Sequence, residues 1–126
     1  MDVIHTAFRV QDLDASLSFY TDVLDLQETN RFTLNGVENV YVGGGDGGEF
    51  QLRHDPADDT PVEPDRDSVD HLALGVDDVD EVLDELDDEA DSDVVTGPMT
   101  VEPADAYVAF VTDPDGYVVE LVEPLS

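Results

Sequence analysis

The stretch His5-Thr-Ala-Phe-Arg-Val-Gln-Asp-Leu-Asp14 returns 66 residues later as His71-Leu-Ala-Leu-Gly-Val-Asp-Asp-Val-Asp80. His5, Ala7, Val10, Asp12 and Asp14 recur as His71, Ala73, Val76, Asp78 and Asp80. Phe8, Leu13 and Leu17 recur as Leu74, Val79 and Leu83 and stay apolar. So many matches in one register mark an internal duplication, and a duplication governs how every later segment is read.

Each copy reads as strand, helix and further strands. Residues 3–10 and 69–76 are β-rich runs closed by acidic turn residues. After the first, Asp12 can cap a helix whose Leu13, Leu17, Tyr20 and Leu24 share one face. After the second, Asp77 or Asp78 can cap a helix burying Val79, Val82, Leu83 and Leu86. The first copy then offers strands near 31–35, 37–42 and 49–54, with Asn35-Gly36 as a hairpin turn. The second offers strands near 93–96, 105–112 and 117–122, with Asp113-Pro-Asp-Gly116 as a turn. Residues 55–68, rich in Pro, Asp and Glu, read as an exposed linker. The expected fold class is therefore α+β, with βαβββ modules at 1–54 and 69–126.

Composition narrows the function. The 126 residues, 40% of them apolar, suffice for a packed core. Apolar runs of four or five residues cannot span a membrane, and the N-terminus lacks a signal peptide's pattern, so a cytoplasmic location is expected. The absence of cysteine excludes disulfides, thiolate metal sites and a cysteine nucleophile. Four arginines stand against 33 carboxylates, for a net charge of −29. Such a field repels nucleic acid and anionic membranes, so neither is an expected partner. It suits a folded protein of a salt-adapted organism, where salt screens the repulsion. The run Gly43-Gly-Gly-Asp-Gly-Gly48 has no following Lys-Ser/Thr and opens no helix, so it is a turn rather than a phosphate loop.

Four residues carry the candidate chemistry. Strand side chains alternate faces. His5, Ala7 and Arg9 therefore share one face of the first strand, and Glu49, Gln51 and Arg53 share one face of that module's last. In the second module His71, Ala73 and Gly75 align, as do Val118, Glu120 and Val122. Each module thus supplies a metal-capable side chain from its first strand and another from its last. A single strand histidine is usually structural, but two at equivalent repeat positions, each with an equivalent polar partner, point to ligands. Glu49 rivals Gln51, and the repeat register, which matches Gln51-Leu52 to Glu120-Leu121, favours Gln51. If the repeats pair with approximate two-fold symmetry, the four positions converge on one axis. Two imidazoles, an amide oxygen and a carboxylate suit a borderline divalent ion such as zinc, nickel, cobalt, iron or manganese. His54 falls on the opposite strand face and reads as surface.

The chain resembles the vicinal oxygen chelate superfamily, which includes glyoxalases, bleomycin resistance proteins and dioxygenases. The resemblance is carried by residues 5–13, by Ser18-Phe-Tyr-Thr-Asp-Val-Leu-Asp-Leu26, by Asp70-His-Leu-Ala-Leu-Gly-Val76 and by Ala109-Phe-Val-Thr-Asp-Pro-Asp-Gly-Tyr-Val-Val-Glu-Leu-Val-Glu123. It is nearest to short-form glyoxalase I, or lactoylglutathione lyase. The resemblance implies paired modules forming a metal-binding cup, with His5, Gln51, His71 and Glu120 as ligands of one divalent ion (Ni, Co, Zn or Mn). It also implies Glu120 as the catalytic base, Arg9 as a binder of the substrate's carboxylate, and a homodimer. The implied reaction converts the hemithioacetal of methylglyoxal and a small thiol to a lactoyl thioester. Position 51 departs from the short-form pattern, which has glutamate there; glutamine can hold a metal but cannot act as a base. Alternatives are a methylmalonyl-CoA epimerase-like enzyme, an extradiol-type dioxygenase using His5, His71 and Glu120, and a metal-free binding module of the bleomycin-resistance kind.

Overall fold

The computed structural model describes residues 1–87 and 92–126. Their fold is α+β: two compact units, Met1–Val62 and Glu63–Ser126, each built on one four-stranded sheet. The first unit runs β1 (His5–Arg9), α1 (Leu13–Leu17), β2 (Gln27–Leu34), β3 (Val37–Gly43) and β4 (Glu49–His54). The second runs β5 (Leu72–Gly75), α2 (Val79–Asp87), β6 (Val94–Val101), β7 (Ala106–Thr112) and β8 (Val118–Pro124). The sheet orders β1-β4-β3-β2 and β5-β8-β7-β6 are the same topology twice. In both, the first strand lies parallel to the last and the other pairings are antiparallel.

Local sequence explains most of the elements. Asp12 caps α1 by accepting from the Ala15 N–H at 3.1 Å, which satisfies a donor that the first helical turn leaves open. At α2 the capping residue is Asp78, which accepts from the Glu81 N–H at 3.1 Å. Glu123 on β8 takes the Val79 N–H at 2.9 Å and ties this helix to its sheet. Asn35 and Gly36 both have positive φ (52° and 83°), as the hairpin between β2 and β3 requires. Asp113, only 2% exposed, accepts from the Asp115 and Tyr117 N–H groups at 2.9 Å each and closes the turn before β8.

The first core is aromatic. Phe8, Phe19, Tyr20 and Phe50 are buried, with Tyr20 edge-on to Phe50 at 5.0 Å and Phe8 edge-on to Phe50 at 6.1 Å. Beyond Leu17 the helix widens into a π turn over Ser18–Val23, with the Leu24 N–H reaching the Phe19 carbonyl at 3.0 Å. This wider turn buries Phe19 beside Tyr20, a change of period that an expected continuous helix face did not contain. The second core is aliphatic: Val79, Leu86, Ala109, Val111, Val119 and Leu121 are buried.

Two strands are longer than expected, and both are sheet edges. β2 begins at Gln27 rather than near 31, because pairing with β3 recruits polar residues that show no apolar alternation. β6 runs to Val101 through Gly97-Pro98, with a register shift between Thr96 and Met99; an edge strand tolerates a proline that cannot donate to the ladder. β5 is shorter than expected, so His71 stands one residue before it. Residues 55–68 hold no helix or strand, but their first half is tied to the end of the first unit's β1. Arg9 donates to the Thr60 carbonyl, and the Val62 N–H donates to the Gln11 side chain at 2.7 Å. His54 is half-buried rather than plainly on the surface, with Nδ1 3.3 Å from the Val10 carbonyl oxygen.

Replacing Asp113 by alanine removes the acceptor of two backbone N–H groups. It is expected to lower stability by about 1–3 kcal/mol, read as a fall in the urea unfolding midpoint with little change in the slope.

Candidate functional site

The parallel pairing of first and last strands places the expected residues on one sheet face in each unit. On β1 and β4 the register sets His5 opposite Glu49, Ala7 opposite Gln51 and Arg9 opposite Arg53. Gln51 is thus one in-face step diagonal to His5. On β5 and β8, Ala73 stands opposite Glu120, so His71 and Glu120 share that diagonal. The second unit brings the diagonal pair together: His71 Nε2 lies 3.2 Å from Glu120 Oε1.

An aromatic ring completes each pair. Tyr41 on β3 pairs with Gln51 and meets the His5 ring edge-on at 5.1 Å. Phe110 on β7 pairs with Glu120 and meets the His71 ring edge-on at 5.4 Å. Both aromatics precede their strand-pair partner by ten positions, so the duplication carries them as faithfully as it carries the histidines. Sequence reasoning missed them, though the 69-residue offset that relates Gln51 to Glu120 also relates Tyr41 to Phe110.

Further polar neighbours fix the orientation of these groups. His71 Nδ1 is 2.7 Å from Asp70 Oδ1, and Arg66 donates to the same oxygen at 3.0 Å. An ionised carboxylate can only accept, so the proton of a neutral His71 sits on Nδ1 and the Nε2 lone pair faces Glu120. Hydrogen bonding first to His71 and then to Arg66 holds the Asp70 carboxyl below its ordinary pKa. A histidine lone pair and a carboxylate oxygen 3.2 Å apart repel unless a proton or a metal cation stands between them. That donor pair therefore suits a divalent ion. In the first unit, Gln51 Nε2 donates to Asn39 Oδ1 at 2.6 Å, and Asn39 Nδ2 donates to the Val37 carbonyl at 3.0 Å. Asp70 and Asn39 were not recognisable as orienting groups from the sequence. A carboxylate beside a histidine is unremarkable in so acidic a chain, and the repeat counterpart of Asn39 is not polar.

The other candidates fall as follows. Glu49 shares the His5 face and accepts from the Thr29 hydroxyl at 2.8 Å. Arg9 is half-exposed and engaged by the segment beyond β4, with Asp58 Oδ2 at 3.6 Å as well as the Thr60 carbonyl. Arg53 lies opposite Arg9 and, among the described residues, makes no ion pair. Among the described residues, no cluster of three or more His, Asp or Glu side chains suited to a metal is present.

Residues 3–121 match the sequence profile of the Glyoxalase/Bleomycin resistance protein/Dioxygenase superfamily. The chain belongs to this superfamily. Within it, the chain is 34% identical to a "probable lactoylglutathione lyase" of Synechocystis, covering 100% of this chain and 98% of that protein. It is 32% identical to a lactoylglutathione lyase of Haemophilus influenzae, covering 100% and 95%. Among solved structures it is similar to the trypanothione-dependent glyoxalase I of Leishmania major, with 28% identity, a TM-score of 0.81, and coverage of 98% of this chain and 86% of that one. The superfamily resemblance expected from residues 5–13, 18–26, 70–76 and 109–123 is thus borne out over nearly the whole chain.

The Asp70 contact makes a prediction that needs no metal. Asp70→Ala is expected to lose the preference for the Nδ1–H tautomer of His71, visible as convergence of the two ring nitrogen shifts in 15N NMR at neutral pH. Unchanged ring shifts would show that Asp70 does not set the tautomer.

Proposed function

We propose that this superfamily member is a metal-dependent glyoxalase I, isomerising the hemithioacetal of methylglyoxal and a small thiol to a lactoyl thioester. The observation that carries the proposal is the facing pair His71 Nε2 and Glu120 Oε1, with the equivalent diagonal occupied by His5 and Gln51. Full-length likeness to lactoylglutathione lyases at 32–34% identity supports the same activity over the epimerase that Gln51 alone would favour.

His5, Gln51, His71 and Glu120 would hold one divalent ion, of the Ni, Co, Zn or Mn kind. When bound, that ion supplies Lewis-acid polarisation of the two neighbouring substrate oxygens. The chain's own residues do the rest. Glu120 is the one carboxylate among the four, so it takes the proton from the carbon that bears sulfur and returns a proton to the neighbouring carbon. The hydroxyl proton passes between the two oxygens, and no atom is gained or lost. Gln51, an amide, holds position and moves no proton. Arg9 and Arg53, opposite one another on the His5 face, suit a carboxylate on the thiol. Arg9 already faces Asp58, so in a chain of charge −29 it is Arg53, with no ion pair among the described residues, whose positive charge would steer an anionic substrate.

Each unit supplies two ligands, so a four-ligand site draws on both kinds of unit. We propose that it forms across a homodimer, His5 and Gln51 of one subunit meeting His71 and Glu120 of the other. The exposed edge strand β2 and the largely exposed edge strand β6, with Phe32, Leu34, Val94 and Val95, support a chain that presents surface to a second copy. The acidic surface supports activity in molar salt, in a cytoplasm adapted to it.

The test is isomerisation of methylglyoxal–glutathione hemithioacetal, with Ni, Co, Zn or Mn supplied in molar salt. Glu120→Gln is expected to remove turnover by about 10²–10⁴-fold while weakening metal binding much less. Wild-type turnover from Glu120→Gln would remove it as the base. The homodimer has its own test. His5→Ala and His71→Ala, each inactive alone, should regain about a quarter of wild-type activity when unfolded and refolded together, because half the dimers then contain one intact site. No recovery would place all four ligands within one chain.

A further inference from the structure

We infer that Asn39 is a positioning residue that decides which atom of the Gln51 amide is presented, and that it fits glutamine rather than glutamate to position 51. The inference rests on the reading of Gln51 as a metal ligand and specifies how that ligand is set.

The chain of constraint begins at a backbone atom. The Val37 carbonyl can only accept, and it takes Asn39 Nδ2 at 3.0 Å. The Asn39 amide is thereby fixed with Oδ1 on its other side. Oδ1 can also only accept, so Gln51 must turn Nε2 towards it, and does so at 2.6 Å. Oε1 is left as the free end of the Gln51 amide. Asn39 is 5% exposed and Gln51 7% exposed, so solvent cannot repay either group for reversing. Reversing Gln51 would set oxygen against oxygen, and reversing Asn39 would do the same at Val37.

Position 51 is thereby tied to an amide. A glutamate there would place a carboxylate oxygen against Asn39 Oδ1. Relieving that contact would turn Asn39 Oδ1 onto the Val37 carbonyl. The second module serves as an internal control. The repeat offset that relates Gln51 to Glu120 relates Asn39 to Val108, a buried residue with no polar side-chain atom. The amide ligand has an amide partner, and the carboxylate ligand has an apolar one. Asn39 and Gln51 therefore depart from the repeat together. The result would be a donor set carrying one carboxylate rather than two.

The test is Ni²⁺ titration calorimetry on the full chain in molar salt, over Asn39→Leu, Gln51→Glu, the double variant, and Gln51→Ala. Asn39→Leu is expected to weaken Ni²⁺ binding about tenfold when residue 51 is glutamine, and to strengthen it when residue 51 is glutamate. That reversal of sign is something a general packing defect would not produce. A loss of equal size in both backgrounds, or no change in either, would overturn the inference. If Gln51→Ala binds Ni²⁺ as tightly as wild type, the ligand reading fails, and the inference falls with it. A metal-free readout guards against a leucine variant that folds poorly. In wild type one Gln51 Nε2 proton should be shifted downfield and slow to exchange, and in Asn39→Ala that signature should vanish. Its persistence would overturn the inference.

Discussion

In each unit the last strand returns to lie parallel to the first, and the polar face of the sheet depends on that pairing. Parallel neighbours cannot be joined by a tight turn, so the chain must cross over through a helix and two further strands before it comes back. The register then sets His5, Ala7 and Arg9 against Glu49, Gln51 and Arg53, and Ala73 against Glu120. Because strand faces alternate, the same register that turns Phe8, Phe50 and Leu52 to the apolar core sets the histidine and its partner on the opposite face. A slip of one residue would destroy core and candidate site together. Apolar packing in this way holds a set of polar groups whose own interactions contribute little to the fold.

The charge of −29 fits the same economy. Many of the carboxylates act locally as backbone acceptors: Asp12 and Asp78 at helix starts, Asp113 in the turn before β8, and Asp55, Asp58 and Asp65 in turns of the connecting segment. Aspartate favours such turns because its short side chain reaches an N–H two or three residues ahead. The few arginines sit against this background. Arg31 pairs with Glu28, Arg66 with Asp70 and Arg9 with Asp58, all more than a third exposed and therefore weak contributors to stability. Their importance lies in local orientation and field.

Much of this was legible in the residues because duplication repeats its own signals. The recurrence of His5 as His71 and Gln51 as Glu120, the Asn35-Gly36 hairpin and the Asp113–Gly116 turn all follow from spacing and turn chemistry. Full-length likeness to lactoylglutathione lyases agrees with the family reading made from those segments. What escaped the sequence has physical reasons. The polar start of β2 becomes strand only through pairing with β3, and the π turn at 18–23 exists to seat Phe19 beside Tyr20. Asn39 and Asp70 act through single hydrogen bonds across or beside a strand, and no periodicity marks those. The sequence shows Gln51 only as a departure from glutamate; the Asn39 amide that bonds it is visible only in the fold.

Metal binding is where the proposed pairing of two half-sites, one from each kind of unit, is most exposed to test. The direct measurement is the Ni²⁺ content and affinity of the purified chain and of His5→Ala and His71→Ala separately. One equivalent per chain is expected for wild type, with a large loss of affinity for each variant, since each removes a member of one of the two proposed pairs. A variant lacking either histidine that still binds one equivalent with wild-type affinity would contradict it.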